Sequence, residues 1–228
     1  FLMNLLILLP KYEKTGPIKG GLAIANLFAK EINVSIIFLK GENKIPKFFD
    51  KRIKIFYLKK FPNPVKKYLE IKKLILKNNP DKTIMISMCL SADIFALTLK
   101  NCVKTISSIR GNLIQNYSYT YPFIGYIVGF FHLSIIRYFK RILVMNYHMK
   151  KQAKFFSSKE SIIIPNFVDE EKLSKYFVDN ISKNKPYNFV FLGPLIKRKN
   201  PKLLIKVFKD VTQTIDSKLH IIGDGYLY

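Results

Sequence analysis

Seven short aliphatic runs, at residues 4–9, 34–39, 53–58, 83–88, 103–109, 141–145 and 161–164, recur along the first 165 residues. The first of them, Asn4 to Leu9, is all aliphatic after its asparagine and lacks the polar alternation of a half-exposed strand, so a strand built from it must be covered on both faces. Between most of the runs lie segments with helical periodicity. Strands of this kind alternating with helices predict βαβ units, and the fold class is α/β: a Rossmann-like parallel sheet with helices on both faces. A first helix is expected over 22–31, with Gly20 and Gly21 forming the turn at its mouth. A second is expected over 65–76, with Val65, Leu69, Lys72 and Leu76 on one face and the Lys72 stem snorkelling along it.

The texture changes after Pro165. Residues 166–186 are polar and carry Asp169, Glu170, Glu171 and Asp179, which reads as an interdomain connector with one short helix. A second α/β pattern follows over 187–228: a strand at 188–192, a basic turn, a helix at 201–214, a strand at 218–222 and the glycine turn Gly223-Asp224-Gly225. The organisation expected is a Rossmann-like domain over 3–165, the connector, and the start of a second, truncated domain over 187–228.

Charge and composition narrow the classes of function. There are 39 Lys and Arg against 15 Asp and Glu, a formal net charge of +24, yet 49% of the chain is hydrophobic, too apolar for a disordered basic tail. The two cysteines, Cys89 and Cys102, exclude a disulfide framework and a cysteine-based zinc site and fit a reducing, cytoplasmic setting. His132, His148 and His220 fall on different elements without metal-ligand spacing, and no Ser/His/Asp or Cys/His constellation is apparent. The apolar stretch at 122–136 is shorter than the roughly 20 residues a membrane span needs. Residues 137–160, which follow it directly, hold seven basic residues and one acid. Apolar and basic surface side by side predicts a peripheral contact with an anionic membrane surface, on its inner, cytoplasmic face; the bland alternative is a buried core helix beside a solvated basic face. Nucleic acid is the competing partner for so basic a chain, but no helix-turn-helix, zinc-finger or RNA-binding pattern is present, so no specific nucleic acid is expected.

Four stretches carry a resemblance to a known family: Gly20-Gly21 after the first strand, IIIPNFVD at 162–169, FVFLGPLIKRKNPKLLIKVF at 189–208, and LHIIGDGYL at 219–227. In this order and spacing they resemble the nucleotide-sugar glycosyltransferases of the GT-B fold, of the retaining family 4 type. The resemblance implies two Rossmann-like domains facing each other across a cleft, the acceptor on the first and the donor on the second. It implies that Lys199, with Arg198, holds the donor diphosphate, and that Gly193, Gly223, Asp224 and Gly225 line the nucleotide pocket. It implies further that Gly20 and Gly21 border the phosphate and acceptor. Arg110, in the loop after the fifth strand run, is a candidate acceptor or phosphate contact, an ordinary loop arginine being the other reading. The family's acidic pair E-x7-E, which would follow the glycine turn, lies outside these 228 residues.

One position departs from the family. Where its members commonly read G-R-L, this chain reads Gly193-Pro194-Leu195, and proline supplies neither the cation nor an N–H. Arg198 or Lys197 is the available replacement. The expected function is transfer of a sugar from a nucleotide diphosphate to a glycan or lipid-linked acceptor in bacterial envelope polysaccharide synthesis, without a metal or other cofactor. An inactive glycosyltransferase remnant is the alternative that Pro194 favours, and a basic nucleic-acid- or membrane-binding protein is the third.

Overall fold

The computed structural model describes residues 3–13, 15–41, 50–59, 61, 63–166, 174, 176–177 and 185–227. It divides into two compact units, Phe1–Asp169 and Glu170–Tyr228. The short helix expected in the connector falls largely outside the described residues.

The first unit is a seven-stranded, wholly parallel sheet. Its strands are β1 (Asn4–Leu9), β2 (Asn33–Phe38), β3 (Lys54–Tyr57), β4 (Thr83–Ser87), β5 (Lys104–Ser108), β6 (Arg141–Val144) and β7 (Ile162–Ile163), in the order β3-β2-β1-β4-β5-β6-β7. The helices are α1 (Gly16–Phe28), α2 (Pro64–Lys77), α3 (Leu90–Thr98), α4 (Leu113–Thr120), α5 (Ile124–Ile135) and α6 (Tyr147–Ser157). The aliphatic run of the central strand β1 is covered on both faces. One face of β1 packs Leu5, Ile7 and Leu9 with Ile18, Ile24 and Ala25 of α1. Its other face packs Leu6 and Leu8 with Ile71 and Ile75 of α2 and Ala92 and Ala96 of α3. The strand order reverses between β1 and β4, and in open parallel sheets the carboxyl ends at such a reversal are where ligands bind.

Asparagine side chains cap three of the described α-helices. Asn63, Asn112 and Asn146 accept hydrogen bonds from the backbone N–H of Val65 (2.7 Å), Gln115 (3.1 Å) and Met149 (2.9 Å), each satisfying a donor that the first helical turn leaves open.

Two expectations need correction. Helix α1 begins at Gly16, with Pro17 in its first turn, so Gly20 and Gly21 lie inside the helix and not in a turn before it. Proline's fixed φ suits that first turn, and helical glycine costs only about 1 kcal/mol. The cost is accepted at Gly21 because a Cβ there would stand 3.1 Å from Leu9 Cδ2 and 3.3 Å from Met88 Sδ. Helix α2 forms as expected, but its buried face is Ile71 and Ile75, while Val65, Leu69 and Leu76 are exposed. Both faces of this helix carry apolar residues at helical spacing, and packing against β1 chose the isoleucines.

Helices α4 and α5 form a close antiparallel pair because α5 presents glycine to its partner. A Cβ on Gly125 would lie 2.2 Å from the Tyr117 carbonyl oxygen, and one on Gly129 would lie 2.8 Å from Ile114 Cα.

In the second unit β8 (Tyr187–Leu192) and β9 (Ser217–Ile222) pair in parallel, with helix α7 (Pro201–Thr214) between them in sequence. Leu204, Phe208 and Val211 are its half-buried face, and Phe208 meets Phe189 of β8 with ring centroids 5.5 Å apart.

The glycine contacts predict a differential cost. Gly125→Ala should destabilise the protein by about 1–3 kcal/mol through overpacking. Gly16→Ala, where nothing lies within 4 Å of the added Cβ, should be neutral or slightly stabilising. Urea unfolding of the two variants beside the parent separates these outcomes.

Candidate functional site

In the second unit the strands continue past their ends as two paired backbone segments. The N–H of Gly193 donates to the Ile222 carbonyl (3.0 Å), that of Leu195 to Asp224 (2.9 Å), and that of Leu227 to Leu195 (3.0 Å). The segments run so close that a Cβ on Gly223 would lie 1.9 Å from the Gly193 carbonyl oxygen, and one on Gly225 would lie 2.4 Å from that of Leu195. Both glycines also have φ near +159°, which L side chains rarely adopt. Gly223 and Gly225 are therefore required by the main chain, whereas Gly193 has open space around an added Cβ and shares only their positive φ, at +154°. The Asp224 carboxylate accepts from the Gly225 N–H at 2.7 Å and shapes this turn.

Pro194 fits the same geometry. Residues 193 and 195 direct their N–H groups toward β9, so the residue between them faces the other way and a missing N–H breaks no bond in this pairing.

Lys197–Lys199 then form a single 3-10 turn that leads through Asn200 into Pro201 at the start of α7. The turn is tied to the glycine segment by the Tyr226 hydroxyl, which accepts from the Lys197 N–H at 2.8 Å. Lys197, Arg198 and Lys199 are all exposed. The structure thus gathers at the carboxyl ends of β8 and β9 the three glycines, Asp224, three cations and the start of a 14-residue helix. A helix start carries partial positive charge and open N–H donors, so this edge attracts anions.

In the first unit, Gly20 and Arg110 meet at the carboxyl ends of the strands. A Cβ on Gly20 would be 3.7 Å from Arg110 Nε, whereas Gly21 is turned inward to Leu9 and Met88. Arg110 Nη1 donates to the carbonyls of Ile164 (3.2 Å) and Pro165 (3.4 Å), just beyond β7, and partial burial holds its pKa below the ordinary value. Arg110 therefore fastens the end of β7 in addition to bordering this edge. Cys89 sits beside the same edge at φ +74°, the residue before α3, with its thiol pushed up to about 12 by burial and by the Asp93 and Glu13 carboxylates. It is not an activated nucleophile.

A constellation absent from the sequence reading lies beneath. His132 is not isolated: its Nε2 donates to Asp93 Oδ2 at 2.7 Å, and both residues are 1% exposed. Asp93 also accepts from the hydroxyls of Ser87 (2.5 Å) and Ser107 (2.9 Å). The remaining imidazole nitrogen, Nδ1, accepts from the Tyr117 hydroxyl at 3.0 Å. Burial, with Cys89 and Asp93 nearby, pushes the Tyr117 phenol up. The array is not a hydrolytic triad, because both serines bond to the carboxylate and none to the imidazole. It joins β4, β5, α3 and α5 at a single carboxylate, with α4 attached through His132. The signal in the sequence was an acid within the apolar segment LSADIFALT and a histidine within the apolar run that became α5.

Among the described residues, no group of three His, Cys, Asp or Glu side chains could hold a metal ion. His148 is exposed in the first turn of α6, and the His220 ring bonds Asn188 at 2.8 Å across β8 and β9.

The parallel sheet of the first unit, with helices on both faces, is the α/β, Rossmann-like fold, as its alternating elements imply. No family model matches the chain, and no curated protein does. Solved structures do. The lipopolysaccharide outer core galactosyltransferase WaaB, in its apo form, aligns with a TM-score of 0.65 at 19% identity over 98% of this chain. Sucrose-phosphate synthase from Thermosynechococcus elongatus aligns with a TM-score of 0.66 at 11% identity over 97%. The chain spans 62% of the length of each. At these identities the likeness establishes the fold that both share with the chain.

The buried array generates a prediction. Asp93→Ala should cost about 3 kcal/mol or more, because three donors lose their acceptor in the core, and Asp93→Asn should cost less. Equilibrium unfolding in urea, with the slope checked for two-state behaviour, measures both.

Proposed function

We propose that this chain is part of a glycosyltransferase that uses a nucleotide-diphosphate sugar as donor. The observation that carries the reading is the convergence, at one strand edge of the second unit, of Gly193, Gly223 and Gly225 with Lys197, Arg198 and Lys199 at the start of α7. A leaving diphosphate gains negative charge as the sugar departs, and amides and cations fixed beforehand at a helix start stabilise that charge. The fold shared with WaaB and sucrose-phosphate synthase supports the reading, since both are named as sugar-transferring enzymes or synthases.

Within it, Lys199 and Arg198 hold the diphosphate, and the glycine turn with Asp224 borders the nucleotide. Gly20 and Arg110 border the acceptor side in the first unit. The finer assignments, a retaining mechanism of the family 4 type and an acceptor that is a glycan or lipid-linked sugar of a bacterial envelope polysaccharide, follow from the resemblance of the four sequence stretches. No metal is invoked, because the lysines and arginine supply the neutralising charge.

Titration calorimetry with nucleoside diphosphates tests the proposal. Saturable binding that persists in a chelator is expected, with nucleoside monophosphates weaker. Lys199→Ala should weaken the diphosphate about tenfold, equivalent to about 1.4 kcal/mol. A random oligonucleotide that binds while nucleoside diphosphates do not would overturn it. Pro194→Arg, which adds a bidentate cation where the family carries one and breaks no backbone bond in the β8–β9 pairing, should tighten diphosphate binding, measured in the same titration.

A further inference from the structure

Helix α5 is built inside out for a helix in water. Its inward residues are Gly125, Gly129, His132 and Leu133, while Ile124, Tyr126, Ile127, Phe130 and Phe131 are exposed. Phe123, just before it, is 86% exposed and Ile127 63%. Six large side chains at about half exposure amount to on the order of 600 Å² of apolar surface, the upper end of what monomeric proteins present. The surface does not stop at the helix. The Phe130 ring lies 5.4 Å from Phe156 of α6, and Phe156 lies 5.1 Å from Phe155, which is 82% exposed.

Cations rim this patch. On α6, Tyr147, Lys151 and Phe155 follow at i, i+4 and i+8 along one face, all exposed, with Lys151 Nζ 5.1 Å from the Tyr147 ring centroid. Arg137, one turn beyond α5, donates to the Phe156 carbonyl at 3.0 Å, and Lys100 Nζ lies 5.3 Å from the Tyr138 ring centroid. The acid within 137–160, Glu160, is paired with Lys150 (3.4 Å) and Lys154 (2.6 Å).

We infer that the outward face of α5 and the adjoining end of α6 dock on the surface of an anionic lipid bilayer. Charge decides among occupants. A second copy of this face would bring two basic rims together, which like charges oppose. Nucleic acid would meet aromatic and aliphatic side chains at the centre of the face, with the cations only at its rim. A bilayer offers both components: acyl boundary for the aromatic centre and anionic headgroups for the rim, worth around 1 kcal/mol per Lys or Arg near the surface. Among the described residues no helix is long and apolar enough to cross a membrane, so the contact is interfacial. This inference is independent of the donor-site reading, since it uses only residues of the first unit.

Flotation of the full chain with vesicles of phosphatidylcholine, with and without phosphatidylglycerol, tests it. Binding to the anionic vesicles is expected, reduced by salt. The triple variant F123S/I127S/F131S changes exposed side chains only, and an unchanged melting curve will confirm that it folds. It should bind about tenfold less at low and high salt alike, and K151E/K154E should lose about tenfold at low salt. No flotation, or flotation that the apolar variant leaves unchanged, overturns the inference. So does sedimentation showing a dimer that the apolar variant dissolves while vesicles capture neither protein. Nucleoside diphosphate titration of the same variant separates this result from the donor-site reading, because F123S/I127S/F131S should bind nucleotide as the parent does.

Discussion

A parallel sheet buried on both faces has few places left for chemistry. Its central strands in the first unit, β1 and β2, read as near-continuous aliphatic runs because α1 covers one face and α2 and α3 the other. The residues able to meet a ligand are then confined to the loops at the strand ends. Gly20, Cys89 and Arg110 come together at one such edge although they are far apart in sequence, and the glycine-rich loops of the second unit do so at another. The placement of Gly20 and Arg110 in the first unit depends on this constraint of burial.

The second organising feature is a carboxylate. Asp93 collects Ser87, Ser107 and His132, and His132 in turn takes the Tyr117 hydroxyl, so strand ends and three helices share one buried polar centre. To reach Asp93, α5 must turn its histidine inward. To lie close to α4 while doing so, it must turn Gly125 and Gly129 inward as well. A helix as apolar as this one has no other place for its large side chains than outside. The exposed aromatic face is thus a consequence of how the helix is anchored.

Strand positions were legible in the sequence to within a residue or two, because a strand covered on both faces leaves an uninterrupted aliphatic signature. The helix over 201–214 was equally legible, bounded by Asn200-Pro201 at its start. Which face of a helix is buried was not. In α2 both candidate stripes are apolar, and only the neighbours select Ile71 and Ile75. The start of α1 was misplaced because a glycine pair reads as a turn, whereas Gly21 is there to let the helix approach Leu9 and Met88. The Asp93–His132 pair was invisible for a related reason: 39 residues separate the partners, and no local spacing marks a contact made through tertiary folding. In the second unit the three glycines could be named from their motif. That Gly223 and Gly225 are needed for backbone to approach backbone is visible only in three dimensions.

Gly193 and Leu195 donate to the segment that continues β9, while Pro194 between them only accepts, from the Ile196 N–H at 3.0 Å. A frame made of peptide bonds is indifferent to what its outward residue is. A charged side chain could be placed there with the scaffold left standing. Such a position is set apart from Gly223 and Gly225, where an added Cβ would collide with the frame itself.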